Sequence, residues 1–302
     1  MNSPLERSRA SAGVALFVAL SFLGSWFVAA TLRVFDLSVA EGSTRLFLCT
    51  LLYALTMGWQ PIVATWVVRR WVDPPDRLDL GLRPGRPVFS LVGGLGAIAL
   101  AAAAMVVASF LVTIGLHAVT TEVEEPSSLP ALGAMALVVP LIWVQAFAEE
   151  VGWRGYFLPR AMERFGRWEG LVLHGAVWGL WYAPVLFFTS YGRLDSLGAM
   201  EKSLGFIVTC VLLGTLFGWL RLVSKSLVPV VLANTTLTLA AGLPYVMNGV
   251  DAGLRSAAFG PPGWIVLLGV IAALSLSRWK HAVQVPLHPP VWIAKSSEKT
   301  LH

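Results

Sequence analysis

Eight stretches of this 302-residue chain are apolar enough, and nearly or fully long enough, to fill the hydrocarbon of a lipid bilayer. They cover roughly residues 11–32, 46–68, 88–118, 131–149, 169–190, 204–222, 226–247 and 262–278. A helix needs about 20 apolar residues to cross a ~30 Å hydrocarbon layer. Within that layer every backbone N–H and C=O must find its partner inside the segment, which leaves the helix as the element for such runs. Only 13% of the residues are charged against 56% hydrophobic, where a soluble domain carries about 25% charge. The expected fold is therefore an all-α polytopic membrane protein with about eight transmembrane helices in one bundle. The third run is long enough to tilt, the fourth and eighth are short, and Pro184 is expected to break the fifth. Arg7 and Arg9 before the first run resemble a signal peptide, but the run is about 20 residues long and more spans follow, so it reads as a retained first helix.

The loop charges test this map. Taken on alternate sides of the expected spans, 17 of the 22 Lys and Arg residues fall on the side that holds both termini and five on the other. The positive-inside rule then places both termini in the cytoplasm, in a multi-pass protein of the cell membrane. The net charge of +5 does not mark a nucleic-acid binder, because the basic residues are spread through short loops and form no single basic tract. Cys49 and Cys210 lie inside apolar runs and give neither a disulfide framework nor metal-ligand spacing. They read as small buried hydrophobes.

One polar cluster stands out: "AFAEEVGWRGYF", residues 146–157, at the cytoplasmic end of the fourth run. Carboxylates are expensive at the edge of hydrocarbon. At a helical 100° per residue, Glu150 and Arg154 are i and i+4 on one face and can pair, while Glu149 lies about 100° round, on the stripe of Trp153 and Tyr156. One acid is then neutralised and the other is free to face a cavity. A carboxylate in a poorly hydrated pocket titrates nearer to neutral pH, where it can serve as a base. The alternative is a helix end at which Glu and Arg simply reach water, and spacing alone leaves both readings open.

"EEVGWRGYFLPR" (149–160) resembles EExxxR, the first motif of the CPBP family, the CAAX-protease and bacteriocin-processing intramembrane enzymes also called the Abi family. "LDLGLRPGRP" (78–87) is similar to the cytoplasmic lead-in before the family's third helix. "AVWGLWYAPVLFF" (176–188) is similar to the second motif, a Trp-rich helix with an FxxxH pattern ending WHxP, and "SLVPVVLANTTLT" (226–238) to the third, SLxPxxxxHxxxN. The two family histidines are replaced here by Tyr182 and Asn234, and the terminal Asn by Thr238. The resemblance implies a base at Glu149 oriented by Glu150 and Arg154, with Tyr182 and Asn234 donating hydrogen bonds to an oxyanion and Thr238 completing the set. It also implies a divalent metal in some members. Neutral phenol and amide groups are poor ligands for one, Glu149 is the sole plausible ligand, and no cofactor is predicted. His174, in the fifth run, is expected as a helix-end histidine near the cytoplasmic face, on the stripe of Trp178 and away from Tyr182. His117 falls on the opposite side of the membrane, and His281, His288 and His302 lie in the tail.

The resemblance divides the chain into a two-span N-terminal region (1–77), a CAAX-protease-like core (78–250), a last span (251–281) and an irregular cytoplasmic tail (282–302). It implies an intramembrane endopeptidase that cleaves a membrane-anchored peptide or protein near the cytoplasmic face. The lost histidines support a second reading, a catalytically impaired relative that binds membrane peptides or helices, or partners an active paralogue. A transporter is the third, since intramembrane charges mark transport pathways. One polar cluster, with no inverted repeat and no pair of broken helices, gives it little support.

Overall fold

The computed structural model describes residues 4–34, 56–73, 78–113, 129–190, 196–248 and 259–276. Among the described residues the chain is helical and has no strand, an all-α membrane protein as the apolar runs require. The helices are α1 (Pro4–Val34), α2 (Gln60–Trp71, led by a 3-10 turn at Met57–Trp59), α3 (Pro87–Thr113), α4 (Leu129–Glu150), α5 (Leu158–Phe165), α6 (Arg167–Ser190), α7 (Ser196–Ser224), α8 (Val228–Asn248) and α9 (Pro261–Leu276). A π-helical segment, Val151–Phe157, joins α4 to α5. Within α1, α3, α6 and α7, the segments Ser8–Thr31, Pro87–Ala104, Arg167–Phe187 and Leu197–Ser224 are long and apolar enough to cross a membrane, and Val228–Ala240 and Pro261–Leu276 are shorter apolar helices. The expected second run (46–68) is described only from residue 56 onward. Pro184 does not break the fifth: α6 continues through it to Ser190, as helices in apolar surroundings tolerate proline when neighbouring groups take up the freed backbone.

Close backbone packing sets the centre of the bundle. Gly175 and Gly179 of α6 face α7, where an added Cβ would stand 2.5 Å from Val211 Cα and 2.7 Å from Ile207 Cα. On α7, a Cβ at Gly214 would stand 2.9 Å from Gly175 Cα. The four-residue spacing on both helices is the small-xxx-small pattern by which membrane helices approach closely where no hydrophobic effect separates helix from lipid. Helix α1 lies across α6: Trp181 Nε1 donates to the Ser21 carbonyl (3.0 Å) and Ser25 Oγ to the Trp181 carbonyl (2.5 Å). Phe17 of α1 packs on Trp153, Tyr156 and Phe157 with ring centroids 5.3–5.8 Å apart.

The segments that carry the excess of basic residues meet at one end of this bundle. The lead-in loop 78–86 bends through positive φ at Gly81 (75°) and Gly85 (69°), a conformation glycine adopts at little steric penalty. Leu227 N donates to the Gly81 carbonyl (2.7 Å) and Ser226 Oγ to the Arg83 carbonyl, which fastens the loop to the α7–α8 turn. Buried Arg221 donates from Nη2 to the Asp79 carbonyl (2.8 Å). At the same end, Arg160 of α5 grips Asp73 after α2 with two 2.8 Å bonds, Nε to Oδ2 and Nη2 to Oδ1, and Tyr156 adds its hydroxyl at 3.1 Å.

Candidate active site

The site is built where α4 gives way to the π segment. All seven residues Val151–Phe157 are buried. Two of them are glycines pressed against neighbouring backbone: a Cβ at Gly152 would lie 2.3 Å from Pro61 Cβ, and one at Gly155 3.1 Å from the Leu80 carbonyl oxygen. The segment can therefore wedge between α2 and the lead-in loop. Its wider turn departs from the uniform α period expected here, and such π insertions are frequent at functional sites. The change of period also separates Tyr156 from Glu149, with which it was expected to share a stripe: Tyr156 turns to Phe17 and Asp73.

Glu149 is 1% exposed. Gln145, one turn earlier on α4, donates from Nε2 to Oε1 (2.8 Å), and Tyr182 of α6 donates its hydroxyl to Oε2 (2.8 Å). Aromatic neighbours set the Tyr182 ring, with centroids 4.7 Å from Trp181 and 5.4 Å from Phe206. Gln145 is held where Gly58 leaves room, since a Cβ there would stand 2.3 Å from Gln145 Cγ. A phenol has one hydrogen to donate. With that hydrogen directed to Glu149, Tyr182 is placed to orient the acid, whereas the sequence reading gave it to an oxyanion.

Glu150 is fully buried and points to a second set of partners. Its Oε1 accepts from Arg154 Nη1 (2.9 Å) and from Asn234 Nδ2 of α8 (2.9 Å). Arg154, also 0% exposed, lies over the Trp178 ring at 3.9 Å and near Phe217 at 5.3 Å. A desolvated guanidinium over an indole face is the strong form of that contact. Among the described residues Arg154 is thus matched to Glu150, while Glu149 accepts from the neutral donors Gln145 and Tyr182. Two charges buried together are tolerated when geometry and further hydrogen bonds are good; here Asn234 supplies one further bond, while Glu150 Oε2 and Arg154 Nε and Nη2 have no partner among the described residues. Thr238 is exposed on α8, and its Oγ1 reaches Asn234 Oδ1 at 3.5 Å, the outer limit of a hydrogen bond.

The six expected site residues thus form two linked sets, Glu149–Tyr182 and Arg154–Glu150–Asn234–Thr238. His174 is not the helix-end residue the sequence suggested. It is fully buried, with its ring centroid 6.0–6.5 Å from those of Phe157, Trp153 and Trp178. The sequence reading missed Gln145, although it stands at i−4 from Glu149, a helical-neighbour signal that was available.

A divalent metal does not fit these donors. Tyr182 and Asn234 are neutral, Glu150 is engaged with Arg154, and among the described residues no group of three His, Cys, Asp or Glu side chains is arranged to hold a metal ion.

Residues 131–240, which contain all six, match the family model described as Type II CAAX prenyl endopeptidase Rce1-like. The chain is also 26% identical over 89 residues to CAAX prenyl protease 2 of Methanococcus maripaludis, an alignment covering 29% of this chain and 33% of that protein. It therefore spans about a third of the length of the curated relative it matches.

Proposed function

We infer, for a chain that residues 131–240 place in the CPBP, or CAAX-protease, family, an intramembrane endopeptidase in which Glu149 activates water. The observation that carries the reading is a carboxylate removed from solvent, paired with no cation among the described residues, and oriented by Gln145 and Tyr182. An acid so held is suited to accept a proton from a water brought in with a peptide substrate. The resulting hydroxide adds to the scissile carbonyl carbon. The negative charge that forms on the carbonyl oxygen requires a donor, and the second amide hydrogen of Asn234 is suited to the task while the first stays on Glu150. Glu149 then passes its proton to the departing amine nitrogen as the C–N bond breaks, which restores the carboxylate. Arg154 acts at one remove: it fixes Glu150, which fixes Asn234.

The substrate class is a peptide or protein tail anchored in the membrane. We place the site at the cytoplasmic face of the cell membrane, with both termini on that side. The meeting of the basic segments 78–86, 151–167 and 221–227 at the site end of the bundle supports that orientation.

The second reading, a relative that binds membrane peptides or partners a paralogue without cleaving, has its own support. Tyr182 and Asn234 occupy the positions of the family's histidines, and both oxygens of Glu149 already accept hydrogen bonds. Turnover of membrane-anchored peptides in reconstituted vesicles separates the two. The hydrolytic reading expects cleavage by the native chain that Glu149→Gln abolishes. The binding reading expects no native cleavage, with activity appearing only in the Tyr182→His, Asn234→His double variant.

A further inference from the structure

The corner where the lead-in loop meets the α7–α8 turn holds three exposed basic side chains: Arg83, Arg86 and Lys225. They come from segments 140 residues apart, but the structure fastens their backbones together. Ser226 Oγ donates to the Arg83 carbonyl, Leu227 N to the Gly81 carbonyl, and a Cβ on Gly85 would stand 2.7 Å from Ser226 Cβ and 3.3 Å from the Ser224 carbonyl. Lys225 sits between the two serines with φ +52°, the positive-φ residue other than glycine among the described residues. That conformation is disfavoured for a lysine, and the serine bonds on either side hold it. None of the three cations forms an ion pair among the described residues.

What lies next to these cations identifies the occupant. Helix α3 starts at Pro87 and α8 at Val228, and the first turns of both expose apolar side chains: Val88 and Leu91 on α3, Val228 on α8. A molecule filling this corner meets three cations at the bundle end and hydrocarbon-compatible side chains immediately beyond. A soluble anion satisfies the first requirement only and an apolar chain the second only. An anionic phospholipid satisfies both, with its phosphodiester among the basic groups and its acyl chains along α3 and α8.

We propose that Arg83, Arg86 and Lys225 form a headgroup cradle for an anionic phospholipid at the junction of α3, α7 and α8. The cradle is independent of the proteolytic reading and needs no substrate to be tested. Full-length protein is reconstituted with mixed phosphatidylcholine and phosphatidylglycerol, and lipid retained after extraction is counted by native mass spectrometry. The native chain is expected to retain phosphatidylglycerol selectively. The triple variant Arg83→Gln, Arg86→Gln, Lys225→Gln is expected to bind it on the order of a hundredfold more weakly at low salt, from about fivefold per surface charge compounded over three. A control with the same change in net charge placed elsewhere, Arg9→Gln, Arg70→Gln, Arg164→Gln, keeps the native preference. Equal loss in both triple variants would show attraction to general positive charge and overturn the cradle, as would full retention in the first. Displacement of the lipid by inorganic phosphate at matched concentration would show a soluble-anion patch, and also overturns it. All three cradle side chains are exposed, so circular dichroism and the melting temperature in phosphatidylcholine alone are expected to stay at native values.

Discussion

Tyr182 donates its phenolic hydrogen to Glu149 at 2.8 Å, from the middle of α6 to the last turn of α4. With Gln145 on the other oxygen, this bond fixes a buried carboxylate that has no cation of its own among the described residues. Tyr182→Phe keeps the ring packing against Trp181 and Phe206 and deletes the bond. A hydrogen bond to a charged group contributes about 1.5–3 kcal/mol, so peptide turnover is expected to fall about 10- to 100-fold, and the melting temperature to drop by a few degrees. Gln145→Leu is expected to act in the same direction.

Arg154→Leu removes the cation that neutralises Glu150. Breaking one side of a buried pair destabilises by about 3–5 kcal/mol, and Asn234 is left as the partner of Glu150 Oε1. Chemical unfolding in detergent micelles is expected to show that loss. The double variant Arg154→Leu, Glu150→Leu is expected to recover much of the stability while leaving activity absent.

Asp73→Ala leaves the half-buried Arg160 guanidinium with Glu163 as its remaining partner and strands the Tyr156 hydroxyl. A double-mutant cycle with Arg160→Ala is expected to give a coupling within the 0.5–3 kcal/mol range found for contacting residues. Additive losses would show that the two groups do not interact.

Gly152→Ala would place a methyl 2.3 Å from Pro61 Cβ and 2.7 Å from its backbone carbonyl. Since the near atoms include backbone, α2 or the π segment must shift, and a loss of about 1–3 kcal/mol is expected in unfolding measurements.

How much of this was legible in the sequence depended on range. The Glu150–Arg154 pair follows from helical spacing, and its partners Trp178 and Asn234 lie on helices that the apolar runs located. Gln145 is equally local, but a neutral amide in an apolar run carries no charge that sets it apart from the polar residues by which membrane helices commonly pack. The π segment was not legible: its seven residues read as ordinary helix, and the close approach to Pro61 and Leu80 that accompanies it is tertiary. The Asp73–Arg160 contact joins residues 87 apart in the chain, and no local pattern couples them. Whether Pro184 interrupts its helix depends on what neighbouring groups take up the freed backbone, which is a tertiary matter. His174 was expected at a helix end near the cytoplasmic face, and the contacts that bury it, with Trp153, Phe157 and Trp178, are tertiary ones that helical spacing shows only for Trp178.

The central claim is that the Glu149 carboxylate activates a water for peptide hydrolysis, and cleavage of a membrane-anchored peptide in vesicles prepared in H2(18)O tests it most directly. The account predicts that the native chain yields a product whose new carboxylate carries one 18O, and that Glu149→Gln, equally helical and equally stable, is slower by about 100- to 10,000-fold, the range typical of a lost general base. Cleavage by Glu149→Gln at the native rate would contradict it.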